Sequence, residues 1–146
     1  MSKRFTLAEA QSLLPLVERL VLEAVAVKPE FEQAERTIES FTERVMMMGG
    51  MEVDRDRVLA DRNRREAAAD KLRHAIQEIQ ELGCLVKDLD MGLVDFPTTL
   101  RGEEVYLCWK LGESSIGFWH GTNEGFRGRK PIDQDFLAHH RGEPEQ

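Results

Sequence analysis

Residues 87–131, KDLDMGLVDFPTTLRGEEVYLCWKLGESSIGFWHGTNEGFRGRKP, form the stretch that decides the fold. Short apolar runs in it are separated by glycine-containing turns, and both tryptophans and the single tyrosine lie within it. Runs of about four to eight residues with an alternating apolar pattern, bounded by such turns, are typical of strands. The stretch therefore predicts a small antiparallel β-sheet.

Four strands are predicted here, at 85–87, 93–96, 105–109 and 116–119. Gly102 and Gly112 support the last two turns, because glycine adopts a positive φ without strain. A two-residue turn with Gly112 and Glu113 at its tip defines the register of the third and fourth strands. In that register His120 lies opposite Val105, and the hairpin is apolar on both faces.

The chain before the sheet is predicted to be helical. Thr6 and Glu9 have the spacing of a capping box, which marks the start of a helix. From Leu13 to Met48 the apolar residues recur at alternating spacings of four and three, as in the seam of a packed helix. Pro29 does not shift this pattern, so we expect one helix, kinked near Pro29, rather than two helices.

The glycines at 49 and 50 allow a reversal, and a second helix is expected before the glycine at 83. The predicted fold class is α+β: a long antiparallel helical hairpin packed against a four-stranded antiparallel meander. The predicted elements of this single domain of residues 1–146 are a helix at 6–48, a helix at 54–82, a sheet at 84–120 and a loop and tail at 121–146.

Composition narrows the classes of function. A net charge of −7 makes a general affinity for nucleic acid unfavourable, because a phosphate-binding surface needs a positive face. The sequence has neither an apolar run long enough to span a bilayer nor an export signal, so we expect no membrane association and a cytoplasmic location. Cys84 and Cys108 lie in apolar, strand-like contexts, which favours buried, reduced thiols over a catalytic one.

The second helix begins with a segment too polar to cover its neighbour. Arg62 and Arg65 occupy positions where the apolar pattern would need apolar side chains. The stripe formed by Phe31, Ile38 and Phe41 on the first helix therefore requires another cover. Exposed apolar stripes of this extent mark interfaces. We expect a homodimer formed through paired helical hairpins.

Charged side chains in the β region allow two interpretations. Asp95 lies between apolar residues of a strand, where a buried carboxylate requires a partner. Arg129 is one candidate partner, for Asp95 or for Asp88, and the pair would make a salt-bridged clasp. The alternative is an acid/base site, in which an imidazole acts with a carboxylate. Its candidate catalytic residues are His120, Asp88, Asp95 and Glu113.

Metal and ligand binding are further alternatives for the same region. The sequence requires no cofactor, and a divalent metal is the one considered, with His120, Asp90 and Glu124 as candidate ligands. The glycine-spaced loop at 125–130 offers backbone amides and cations for a small anion. The candidate ligand-binding residues are Arg127, Arg129, Lys130, Trp109 and Trp119.

The sequence lacks the phosphate-loop, CxxC, HExxH and GxSxG motifs, so it does not identify a reaction. The leading hypothesis is an oligomeric interaction or scaffold protein that uses its helical hairpin. The alternative is a metal-dependent or acid/base enzyme, or a binder of a small anionic ligand, that uses the charged cluster of the β region.

Several short motifs carry a resemblance to a known family. They include FTL at 5–7, VKDLD at 86–90, GLVDFP at 92–97, LCW at 107–109, LGE at 111–113, WH at 119–120 and GR at 128–129. Residues 5–132 resemble a bacterial family catalogued as domain of unknown function 2203. The resemblance implies a long helical region followed by a small β region. That family has no established activity, cofactor or partner, so no site residues are transferred.

Overall fold

The computed structural model describes residues 3–49 and 54–142. Two long helices, α1 (Leu7–Met47) and α2 (Arg55–Glu81), pack against each other and precede an antiparallel sheet. The predicted α+β fold class is confirmed. The predicted reversal at 49–50 and the predicted tail lie partly outside the described residues.

The N-terminus of α1 has the predicted capping box. The Glu9 amide donates to Thr6 Oγ1 at 3.1 Å, and the Thr6 amide donates to Glu9 Oε1 at 3.0 Å. The helix then continues through Pro15 and Pro29, both of which are exposed. A proline on the solvent side removes one backbone hydrogen bond but leaves the packed face of the helix in phase. None of the helices in the described residues is long and apolar enough to cross a membrane.

In the described residues the sheet has six strands: β1 Leu85–Asp88, β2 Leu93–Leu100, β3 Glu103–Lys110, β4 Phe118–Gly121, β5 Lys130–Pro131 and β6 His140–Arg141. They lie in the order β1-β2-β3-β4-β5, with β6 paired to β2, and all of the pairings are antiparallel. The prediction of four strands is therefore corrected to six. The two additional strands have two residues each and lie after residue 121, where a loop and tail were predicted; strands this short have no detectable periodicity.

Two further elements lie in the same C-terminal region. A 3₁₀ turn, Phe126–Gly128, follows β4, and a short helix, α3 (Gln134–His139), precedes β6. The C-terminal region contacts the start of α1, because the Leu7 amide donates to Nε2 of His140 at 3.0 Å. His140 therefore caps the N-terminus of α1.

The predicted register of the β3–β4 hairpin is wrong by one residue. His120 lies opposite Tyr106, and Val105 lies opposite Gly121. A two-residue turn at Gly112 does not form; residues 111–117 make a longer connection. In this connection the Ile116 amide donates to Gln11 Oε1 on α1 at 3.0 Å. Because side chains alternate between faces, the shift of one residue moves His120 to the opposite face of the sheet.

The two faces of the sheet have different environments. The inner face packs against the first half of α1, and its largest fully buried side chain is Trp109. The outer face, away from the helices, carries Asp95, Cys108 and His120, which are also buried. The buried core contributed by α1 and the inner face comprises Ala10, Leu14, Val17, Leu20, Val21, Val94, Phe96, Val105, Leu107 and Trp109.

The far half of the hairpin is less well covered than the half beside the sheet. After Ala34, none of the described α1 residues is buried, and the apolar side chains of Phe41 and Val45 remain partly exposed. At the tip of the hairpin Met46 and Met47 are 77% and 87% exposed. The sequence pattern predicted an incompletely covered stripe in this region.

Candidate functional site

Asp95, Cys108 and His120 meet on the outer face of the sheet. Asp95 on β2 lies directly opposite Cys108 on β3, and His120 on β4 is a diagonal neighbour of Cys108. One ligand atom from each of the three side chains lies within 4.8 Å of the other two. As whole residues, Asp95, Cys108 and His120 are 0%, 1% and 3% exposed, so these polar groups are removed from bulk water.

Hydrogen bonds define the orientation of the His120 ring. Its Nδ1 lies 2.8 Å from the carbonyl oxygen of Gly121, which can only accept, so Nδ1 carries a hydrogen. Its Nε2 lies 3.0 Å from Oδ2 and 3.1 Å from Oδ1 of Asp95. A proton is therefore held between Nε2 and the carboxyl group, on one partner or the other.

Burial dominates the electrostatics of the three groups. It raises the pKa of Asp95 above its usual value, although the neighbouring His120 opposes the shift. Burial, with the charge of Asp95, raises the pKa of Cys108 to about 12, while Arg129 acts in the opposite direction. At neutral pH the Cys108 side chain is thus a thiol, which is a poor nucleophile.

A small cavity of about 110 Å³ lies beside the three side chains. Lys87 and Glu124 contribute charged groups to its wall, and Leu93 and Phe126 contribute apolar surface. The Lys87 ammonium lies 4.9 Å from the ring centroid of Tyr106, which packs edge-on against His120 with 5.5 Å between centroids. The cluster is therefore buried on the sheet side and has space on its other side.

The loop after β4 covers part of the outer face. Its Arg129 guanidinium lies between two aromatic rings, 4.1 Å from the centroid of Phe118 and 4.3 Å from that of Phe126. Nη1 of Arg129 donates to Oε1 of Glu113 at 3.0 Å. The predicted clasp between Arg129 and Asp95 or Asp88 is therefore wrong, because Glu113 is the partner of Arg129 and His120 is the partner of Asp95.

The other proposed carboxylates lie at separate positions. Asp88 accepts from the Met91 amide at 3.1 Å within the β1–β2 turn, and Asp90 pairs with Lys28 of α1. The structure brings neither carboxylate to His120. Asp90, a candidate metal ligand, therefore does not belong to the group formed by Asp95, Cys108 and His120. Glu113 is engaged by Arg129 and by the Lys110 amide.

Glu124, like His120, was a candidate metal ligand, and it lines the cavity. Its Oε1 accepts from Lys130 Nζ at 2.8 Å and from the Gly121 amide at 2.9 Å. The hydrogen bond from Lys130, followed by that from the Gly121 amide, lowers the pKa of Glu124. The carboxylate is consequently ionised and held at a defined position near His120.

The candidate ligand-binding residues are dispersed. Trp109 is wholly buried, and its Nε1 donates to the Glu113 carbonyl at 2.9 Å. Trp119 packs against Phe136 with 5.2 Å between ring centroids. None of the five candidates is among the residues that line the cavity in the described part of the chain. The exposed Arg127 and the pair of Lys130 with Glu124 lie on the same loop.

Cys108 is the cluster residue that the sequence analysis did not name as a candidate, because its apolar context favoured a buried, reduced thiol. The turn between β2 and β3 was nevertheless a signal from which the position of Cys108 could have been predicted. Arg101 and Gly102 both have positive φ, 51° and 83°, as in a tight two-residue hairpin turn. Counting back along both strands from this turn places Asp95 opposite Cys108, which is the observed pairing.

Comparisons with known proteins identify a family but no activity. Neither the curated proteins nor the solved structures include a match to this chain. The family described as Uncharacterized conserved protein (DUF2203) matches residues 3–132, a range that contains Asp95, Cys108 and His120. The earlier resemblance is confirmed by this match, and the chain belongs to the DUF2203 family.

Proposed function

We propose that Asp95, Cys108 and His120 bind a transition-metal ion of the zinc type and that the protein is metal-dependent. The observation that carries this proposal is the approach of three different buried ligand atoms to within 4.8 Å of one another. Ligand atoms around a tetrahedral zinc ion lie about 3.3–3.6 Å apart, given bond lengths of about 2.0–2.3 Å. Metal binding would therefore require these ligand atoms to move closer together.

The second layer of contacts supports metal binding. Histidines that bind metals commonly donate their other ring N–H to a carbonyl or carboxylate, and His120 donates Nδ1–H to Gly121. This leaves Nε2 for the metal. A thiolate with an imidazole and one carboxylate favours zinc, or iron and cobalt, over magnesium and calcium, which prefer all-oxygen sites.

The chemistry proposed for this centre is activation of water or of a bound carbonyl group. Three protein ligands would leave a fourth position open, and the cavity beside the three side chains would give a small ligand access to it. A metal held by Asp95, Cys108 and His120 would supply Lewis-acid chemistry and would lower the pKa of a bound water toward neutrality. The Glu124 carboxylate lines the same cavity and would orient the bound water by accepting a hydrogen bond from it.

A reducing, cytoplasmic compartment belongs to this proposal. Both cysteines are free and buried, and metal binding needs Cys108 in its reduced form. Cys84 lies outside the cluster. Replacing Cys84 therefore makes a matched control for replacement of the ligand.

Metal loading of untagged protein tests the proposal. Chelator-treated protein should take up about one equivalent of zinc or cobalt, measured by elemental analysis, and the cobalt form should show a thiolate charge-transfer band. Cys108→Ser should abolish that band, and Cys84→Ser should retain it. Substoichiometric uptake by the wild-type protein, or an unchanged band in Cys108→Ser, would contradict a metal centre at this position.

A second proposal concerns the far half of the hairpin, for which we retain the homodimer and scaffold hypothesis. A groove of about 230 Å³ between α1 and α2 is lined largely by apolar side chains, including Ile38, Phe41, Val45 and Val58. Leu59 nearby is 58% exposed. The incomplete cover of this region is the observation that favours self-association.

Charge supports a second copy of the chain as the occupant of this groove. Residues 30–43 of α1 carry five glutamates and one arginine, whereas residues 54–66 at the start of α2 carry five arginines and four acidic residues. Within the described residues, the salt bridges among side chains of the hairpin all join residues of the same helix. A two-fold partner would bring the excess glutamates of one α1 toward the arginines of the other α2.

Sedimentation of the purified protein tests this assembly. The wild-type chain should be a dimer at micromolar concentration, and Phe41→Asp should make it a monomer. Leu22→Asp is the control, because Leu22 is also an exposed α1 residue, at 49%, but does not line the groove. A strictly monomeric wild-type protein would exclude the dimer.

A further inference from the structure

Lys87 is a cation positioned to act on a ligand in the cavity. It is the one positively charged side chain among the described residues that line this space. Lys87 starts on β1, and its ammonium lies over the ring of Tyr106 on β3. Since β2 lies between β1 and β3, the side chain crosses the outer face above β2, the strand that carries Asp95.

The ammonium of Lys87 has little competition from protein carboxylates. In residues 3–49 and 54–142, salt bridges neutralise Arg129 through Glu113 and Lys130 through Glu124, but none is formed by Lys87. Asp95 is close enough to feel its charge, yet that carboxyl group is already bonded to His120. The ammonium of Lys87 is therefore available to pair with an anionic ligand in the cavity.

The charge of the proposed metal centre also favours an anionic ligand beside Lys87. A divalent ion is neutralised by one thiolate, from Cys108, and one carboxylate, from Asp95, while His120 binds as a neutral ligand. An anion in the fourth position would leave one negative charge in a buried place. Lys87 would offset that charge; because Lys87 is itself exposed, its attraction for the anion is weaker than that between two buried charges.

Size and polarity narrow the class of anion. A water molecule occupies about 30 Å³ of liquid, so a cavity of about 110 Å³ accommodates about four waters or an anion of similar size. The Glu124 carboxylate on the wall is paired with Lys130 and offers hydrogen-bond acceptors, which a ligand with a hydrogen to donate can use and a ligand without one cannot. An oxyanion that retains a hydroxyl group satisfies both charged residues, because its oxygen faces Lys87 and its O–H donates to Glu124.

We propose that the site takes a small, hydroxyl-bearing oxyanion, such as hydrogen carbonate or hydrogen phosphate, bound between the open metal position and Lys87. This inference rests on the proposed metal centre and adds the class of its ligand. Glu124 accepts the ligand hydroxyl and distinguishes these anions from nitrate, which has no hydrogen to donate.

Cobalt-loaded protein provides the test, because its visible absorption bands respond to the fourth ligand. Bicarbonate, phosphate and nitrate are titrated separately, and imidazole serves as a neutral ligand of the same open position. Bicarbonate or phosphate should shift the bands at millimolar concentration. The separate titrations show which of these two anions binds. Nitrate should bind at least about tenfold more weakly than the anion that binds.

Variants separate the role of Lys87 from general effects of charge. Lys87→Met should weaken oxyanion binding by about tenfold or more while leaving imidazole binding unchanged, and Lys87→Arg should retain most of the affinity. Lys110→Met is the matched control, because Lys110 stacks on Phe126 at 5.5 Å but does not line the cavity. It should bind the oxyanion like the wild-type protein.

The possible failures are distinguishable. Absence of cobalt binding would overturn the metal centre and this inference with it. Cobalt bands that respond to imidazole but not to either oxyanion would overturn the inference alone. Equal oxyanion binding by the wild-type protein and Lys87→Met would also overturn it, and the cobalt spectrum of each variant reports whether the site has folded.

Discussion

His120 Nε2 lies 3.0 Å from Asp95 Oδ2, and the two side chains are 4% and 1% exposed. Buried pairs of this kind contribute little net stability, since the loss of hydration offsets much of their attraction. Removal of one member is nevertheless costly, because it leaves the other without its partner. The pair thus holds polar atoms together on the outer face of the sheet, beside Cys108.

His120→Ala should lower the free energy of unfolding of the metal-free protein by about 3 kcal/mol, because Asp95 is left buried without its principal partner. Urea denaturation of chelator-treated protein measures the change. His74→Ala is the control: His74 is 73% exposed and pairs with Glu78 on the surface of α2, so its loss should cost less than about 0.5 kcal/mol. Equal stability of His120→Ala and the wild type would contradict the structural role of the pair.

The pH dependence of metal-free stability should carry the signature of Asp95. Burial raises its folded-state pKa above the ordinary value of 3.8, so the neutral form is favoured in the fold. The contribution of Asp95 to stability is complete below pH 3.8 and is lost as the pH rises through the folded-state pKa. Asp95→Asn is neutral throughout, and its stability relative to the wild type should therefore improve from pH 3.8 upward. Urea titrations at several pH values measure this difference, and a constant difference would contradict the expectation.

Zinc binding should release about two protons at neutral pH. One comes from the Cys108 thiol, and the other is the proton held between His120 and Asp95, because metal ligands must be deprotonated. Calorimetry in buffers of different ionisation enthalpy measures the number released. Cys108→Ser should remove the thiol contribution. Binding by the wild type without any proton release would indicate a site other than this cluster.

Gly92→Ala should destabilise the fold by about 2–4 kcal/mol. Gly92 has a φ of 68°, and an added Cβ would overlap the Cβ of Leu111, so backbone strain and overpacking combine. Thermal or urea denaturation measures the loss. Gly117→Ala is the control, since an added Cβ there has no atom within 4 Å, and it should have a much smaller effect.

The elements with strong local signals could be predicted from the sequence. The capping box at Thr6 and Glu9 begins α1, and the alternation of apolar residues defines the central strands. Each of these features depends on residues only a few positions apart. The strands of two residues, β5 and β6, exist because β4 and β2 offer edges for pairing, and that opportunity has no local sequence signature.

The candidate site was only partly predictable for the same reason. Asp95 and His120 stood out as polar groups in an apolar region, but their mutual pairing and the inclusion of Cys108 depend on strand register. The β2–β3 register follows from the tight turn at Gly102, which local chemistry determines. Arg129 was assigned to the wrong carboxylate because its partner, Glu113, comes from a connection whose path was not predicted.

By itself, the sequence determined two long helices followed by an antiparallel sheet, because periodicity, capping and turn chemistry are properties of neighbouring residues. Only the tertiary structure decided that His120 faces Asp95. The connection at 111–117 is anchored by Gln11 of α1 and by the indole of Trp109, not by a turn at Gly112. These distant contacts shift β4 by one residue, and in a strand one residue exchanges the two faces.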